Sequence, residues 1–139
     1  MPQACGFTYN RRVQFSETDM AGIVHFSVYF RYMEEAEHAL WRAADLEIDQ
    51  IETTGGWPRV SAGFDYKTPL RFGDVFDVAV RIGSVTRRSF RYDFTFTRDG
   101  NPVGNGFIVA VCSSKEGGRL HAVDVPHEMI ARLKSAAGQ

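Results

Sequence analysis

Between Val28 and Ala44, apolar residues recur at three- and four-residue steps: Tyr29, Tyr32, Met33, Ala36, Leu40 and Ala43. Arg31, Glu34, Glu35, His38 and Arg42 fill the gaps, which predicts an amphipathic helix with one apolar stripe. Ser27 stands where an N-cap is expected. Such a helix spans roughly 26 Å at 1.5 Å per residue. A chain of 139 residues folds to a radius of gyration of roughly 14 Å, so the helix must cross nearly the whole domain.

Period two governs most of the rest. Phe7, Tyr9, Val13 and Phe15 alternate with Thr8, Asn10, Arg12 and Gln14, which predicts a half-buried strand over 7–15. After the helix, a helical or irregular stretch through Gln50 and a break at Thr53-Thr54-Gly55-Gly56 come four more strand patterns. Val60, Ala62, Phe64 and Tyr66 form one inward row, Phe76, Val78, Val80 and Ile82 a second, and Phe90, Tyr92, Phe94 and Phe96 a third. Val103–Cys112 is apolar on both faces and predicts a central strand covered on both sides. Turns are expected at Arg71–Asp74 and at Arg98–Asn101, where Asp-Gly tolerates positive φ. A short helix is expected over Pro126–Ala136. The order β, long α, then β-β-β-β predicts an α+β meander, one helix packed on one antiparallel sheet, in a single domain over 1–139. One helix covers only one sheet face, so the other is either polar or completed by a partner subunit.

Composition narrows the function classes. Hydrophobic residues make up 44% and aromatics 13%, enough for a core and against disorder. Sixteen basic residues against 17 acidic leave a net charge of −1, which argues against nucleic acid as a partner. No apolar run approaches the ~20 residues needed to span a bilayer. Cys5 and Cys112 make neither a disulfide framework nor a metal site, so the expected setting is the reduced cytoplasm. His25, His38, His121 and His127 share no ligand spacing, and no metal is expected.

The chemically informative segment is the loop Ser16–Phe26, with Glu17, Asp19, Ala21-Gly22 and His25 just ahead of the long helix. A helix N-terminus presents unpaired N–H groups and partial positive charge. A carboxylate there can face a polarised carbonyl, with the N–H groups as an oxyanion hole. The bland alternatives are an Asx-turn for Asp19, a solvated loop position for Glu17 and a satisfied interface histidine for His25. Glu34, Glu35 and Glu37 read as a solvated helix face.

The run Asp19-x-Ala-Gly-Ile-Val-x-Phe-x-x-Tyr-Phe-Arg-x-Met, ending at Met33, resembles the signature of the 4-hydroxybenzoyl-CoA thioesterase group of hotdog-fold enzymes. The resemblance continues through Trp57-Pro-x-Val-Ser61, Gly73-Asp-Val, Arg87-Arg88-Ser-Phe90 and Arg119 to Pro126, covering nearly the whole chain. It implies a hotdog fold, one long central helix wrapped by a five-stranded antiparallel sheet. It also implies hydrolysis of an acyl-CoA thioester, possible aromatic acyl groups, and a homodimer commonly paired into a tetramer. Asp19 falls on the family's catalytic aspartate, as nucleophile or general base, and Phe26 on the backbone N–H donor of the oxyanion hole. His25, Tyr29, Met33, Trp57, Val60 and Ser61 fall near the acyl pocket, and Arg87 and Arg88 where relatives meet the phosphates of coenzyme A. Coenzyme A would be part of the substrate, and no cofactor is implied. A carrier-protein thioesterase, an enoyl-CoA hydratase and a non-catalytic acyl-binding protein are the rival readings.

Overall fold

The computed structural model describes residues 6–48 and 56–139. Cys5 and the break at Thr53–Gly55 lie outside them. Five strands make one antiparallel sheet: β1 (Phe7–Arg12), β2 (Arg59–Tyr66), β3 (Val75–Val85), β4 (Ser89–Arg98) and β5 (Asn101–Val111), in the order β1-β3-β4-β5-β2. The long helix, α1 (Val28–Ala43), lies on one face, and α2 (His127–Ala136) packs beside it. A small hairpin, β6 (Ser113–Glu116) with β7 (Arg119–Ala122), was not foreseen. Its turn at Gly117-Gly118 has both residues at positive φ, and its short strands carry little apolar alternation.

The core follows the predicted periods. Phe76, Val78, Val80 and Ile82 from β3, and Phe90, Tyr92, Phe94 and Phe96 from β4, are all buried toward the helices. Tyr29 and Tyr32 of α1 meet Phe64, Phe76 and Phe96 at centroid distances of 4.8–6.5 Å, so rings from three strands curl around the helix. The Arg98–Asn101 turn is the expected two-residue hairpin, with Asp99 at φ 51 and Gly100 at φ 81.

Several expectations need correction. Phe15 is outside the first strand; the chain turns into a 3-10 helix at Phe15–Glu17, and the Phe15 ring is exposed with its edge on Phe72. Val103–Cys112 is not the central strand: β4 is, and β5 lies next to the edge. Its outer side is open, with Arg91 4.1 Å over the Phe107 ring. Edge position also leaves Val60 and Tyr66 of β2 exposed, because among the described residues no strand flanks β2 on its outer side.

The largest correction concerns the glutamates. Glu37 is completely buried and Ala43 is exposed, because Glu37 stands four residues after Met33 and three before Leu40, on the stripe itself. It is tolerated there because Arg59 closes a bidentate pair on it, at 2.6 and 2.7 Å. Tyr92 adds its hydroxyl, which burial first and Glu37 second hold well above the ordinary tyrosine value, and Trp41 Nε1 donates to that hydroxyl at 2.8 Å. Glu17 and Glu35 are likewise engaged, both by Arg11.

Candidate active site

The loop from Ser16 to Phe26 is built on a charged foundation. Arg11 projects inward from β1 and donates to Glu17 at 2.9 and 2.6 Å and to Glu35 at 2.9 and 3.1 Å. Tyr32 donates to the same Glu17 carboxylate at 2.8 Å, and so does the Gln14 N–H. Burial pushes the Glu17 carboxyl upward, but these donors outweigh it and hold the group below the ordinary glutamate value. The Glu17 carbonyl then accepts the His25 N–H at 2.9 Å, and a bridge pairs Thr18 with Val24. The loop is therefore a pinned hairpin-like turn.

At its tip Asp19 makes an Asx-turn, Oδ1 accepting the Ala21 N–H at 2.9 Å, while Gly22 takes φ 81. Oδ2 meets no donor among the described residues. The carboxylate is half-buried and lines a cleft of about 340 Å³ with Phe26, Tyr29, Tyr66, Thr68 and Pro69. The backbone N–H of Phe26 has no acceptor among the described residues. Its peptide partner, the His25 carbonyl, accepts the Val28 N–H at 2.9 Å, which polarises the Phe26 N–H further. Asp19, with its spare carboxylate oxygen, and Phe26, with its free, polarised N–H, thus both line one hollow.

Of the residues singled out by sequence, Asp19, Phe26 and Tyr29 come together here. His25 is exposed and is not part of the cleft lining, with Nδ1 2.8 Å from Ser27 Oγ and its ring 4.7 Å from that of Phe26. Its Nδ1 also accepts the Ser27 N–H at 3.3 Å, and the Ser27 side chain makes no cap of its own. Met33 is a turn deeper, fully buried, with its sulfur against Gly106. Trp57 is elsewhere, against Trp41 and Phe90 beside a separate hollow. Val60 and Ser61 are exposed on β2. Arg87 and Arg88 lean on Asp124, at 3.0 and 3.6 Å, in the turn before β4. Phe96, which touches Tyr29, is at the other end of that strand, about 27 Å from Arg88 at ~3.4 Å per residue.

Two features went unread in the sequence. Arg11 interrupts the inward row of β1, and a charge on an apolar face requires a partner, so a signal for the Arg11–Glu17 pair was present. Tyr66 was assigned only to a strand face; nothing local announces that its hydroxyl reaches the Phe26 carbonyl, 2.7 Å away.

Residues 13–133 match the thioesterase-like superfamily. The chain belongs to that superfamily. Among thioesterase-like relatives, a 1,4-dihydroxy-2-naphthoyl-CoA hydrolase of Synechococcus elongatus is 27% identical over 109 residues, covering 76% of this chain and 80% of the relative. The 4-hydroxybenzoyl-CoA thioesterase of Pseudomonas sp. strain CBS-3 is 27% identical over 140 residues, covering 91% and 98%. A crystal structure of a hypothetical protein from Aquifex aeolicus superposes with a TM-score of 0.83 at 32% identity, covering 92% of this chain and 99% of that one. The thioesterase-like assignment agrees with the α+β hotdog architecture described above.

Proposed function

We propose that this protein hydrolyses an aromatic acyl-CoA thioester, with Asp19 as the reacting carboxylate and the Phe26 N–H as oxyanion donor. The observation that carries the reading is the shared cleft: Asp19, with a spare carboxylate oxygen, and Phe26, with an unpaired amide, line one hollow walled by Tyr29 and Tyr66. Flat aromatic walls suit a planar acyl group, and two relatives are named for aromatic acyl-CoA substrates.

The thioester carbonyl oxygen points at the Phe26 N–H, and the negative charge that develops there is met by the helix start. Asp19 either attacks the carbonyl, expelling the CoA thiolate and leaving an anhydride that water opens, or takes a proton from an attacking water. Single turnover in H₂¹⁸O that leaves label in Asp19 identifies the anhydride route, with water attacking the Asp19 carboxyl carbon. Arg87 and Arg88 are too far along β4 to border the same cleft; a second copy of the chain would bring one protomer's arginines to the other's substrate. Exposed Phe15, Met20, Phe26, Val60 and Phe72 supply apolar surface for such a pairing.

Thiol release from a panel of aromatic and aliphatic CoA esters tests the proposal, with Asp19→Asn as control. Wild type should turn over the aromatic esters, and the variant should lose at least about 100-fold in kcat. Equal rates for the two proteins would end the catalytic role of Asp19. Preference for aliphatic esters would end the aromatic assignment.

A further inference from the structure

The Phe26 amide donates usefully only if its direction is fixed, and the side chain of Phe26 does little to fix it, being 65% exposed. Two peptide planes meet at this residue. The preceding one is held through the His25 carbonyl, which accepts the Val28 N–H at 2.9 Å. The following one carries the Phe26 carbonyl, which stands just before the N-cap Ser27 and so outside the helical ladder. The Phe30 N–H turns to Ser27 O, at 3.3 Å, and leaves the Phe26 carbonyl without a helical donor. The Tyr66 hydroxyl takes that place, donating at 2.7 Å from a residue 40 positions away.

Tyr66 is itself well anchored. Its ring stands edge-on to Tyr29 at 5.3 Å and 85°, and 4.7 Å from Phe64, at the end of β2 where Tyr66 pairs with Gly104. The same ring walls the cleft beside Asp19. Ring and hydroxyl therefore do separable things: the ring shapes the hollow, and the hydroxyl locks a peptide plane.

We infer that Tyr66 is a positioning residue for the hydrolysis, its hydroxyl fixing the peptide after Phe26 and so aiming the Phe26 N–H at the developing oxyanion. The inference rests on the thioesterase reading above. With both planes fixed, φ and ψ of Phe26 have one setting; with the second released, the plane that carries the amide is held only by the single His25–Val28 bond and is free to tilt about it. Mis-aiming a donor of this kind costs about 10–100-fold in rate.

Steady-state kinetics on wild type, Asp19→Asn, Tyr66→Phe and Tyr66→Leu test it, with circular dichroism confirming that each is folded at the assay temperature. Tyr66→Phe keeps the wall and loses the hydroxyl, so kcat should fall about 10-fold or more while KM stays within about twofold. Tyr66→Leu should lose kcat similarly and raise KM as well. Trifluorotyrosine at position 66 preserves packing but ionises at lower pH, and should add a falling limb to the kcat–pH profile as its hydroxyl ceases to donate. Burial holds the native Tyr66 hydroxyl above its ordinary value, so wild type should lack that limb. If wild type is active, Asp19→Asn is dead and Tyr66→Phe matches wild type in kcat, the positioning role is refuted. A change in KM alone refutes it too. Inactive wild type on every ester would instead overturn the underlying reading.

Discussion

Replacing Arg59 with Met would strand the Glu37 carboxylate inside the fold. Glu37 has no exposed side-chain surface, and Arg59, one-third exposed, closes both its oxygens at 2.6 and 2.7 Å. An isolated buried carboxylate escapes by taking up a proton, which costs about 1.36 kcal/mol for each pH unit above the ordinary glutamate value of ~4.3. At pH 7 that is a ceiling of about 3.7 kcal/mol, and water reaching the Arg59 side of the pair reduces it, so the expected loss is about 2–3.5 kcal/mol. Unfolding entropy of ~2.1 cal/mol/K per residue converts this to a fall in Tm of about 7–12 °C for a chain of 139 residues. The sign with pH follows: the folded variant binds a proton that its unfolded form releases, so the penalty grows with rising pH above ~4.3 and shrinks as pH falls towards it. Urea denaturation of wild type and Arg59→Met at pH 5, 6 and 7 would check this. The double variant Glu37→Met/Arg59→Met should recover most of the loss, since no charge is left buried. A variant as stable as wild type at pH 7, or a penalty independent of pH, would refute the reasoning.

Two further expectations concern the loop foundation and the sheet. Glu17 is held below its ordinary value near 4.5, so it contributes stability above that pH and loses it as pH falls through the folded value. Acid unfolding below about pH 4.5 should therefore be steeper in wild type than in Glu17→Gln, which is less stable at neutral pH; parallel acid curves would contradict this. Gly106→Ala would place a Cβ 2.5 Å from Met33 Sδ and 3.0 Å from the Gly63 carbonyl, a backbone atom that cannot step aside. The expected cost is about 1–3 kcal/mol, measured by thermal melting, and an unchanged Tm would show that β2 and β5 separate freely.

Local pattern was enough to identify the long helix, most of the strands, the Asp99-Gly100 turn and the Asp19–Gly22 loop ahead of Val28. Each depends on residues close in sequence: 3.6- and two-residue periods, positive φ at glycine, and apolar stripes. The family resemblance picked out Asp19, Phe26 and Tyr29, and the fold places all three around one cleft. It also named Trp57, Arg87 and Arg88, which the fold sets well apart from that cleft.

Which charges pair across the fold was decided by tertiary structure. Glu37 reads as solvated because its neighbours are charged, yet its partner Arg59 comes from a strand 22 residues away. Arg11 and Glu35 pair across 24 residues, and Tyr66 reaches Phe26 across 40. Burying a charge or freeing a peptide carbonyl is costly, so each of these groups needs a partner, but periodicity says only which way a side chain points. Which partner arrives is set by how β1 and β2 close around α1, and that closure is what turns a loop aspartate and a helix start into a cleft.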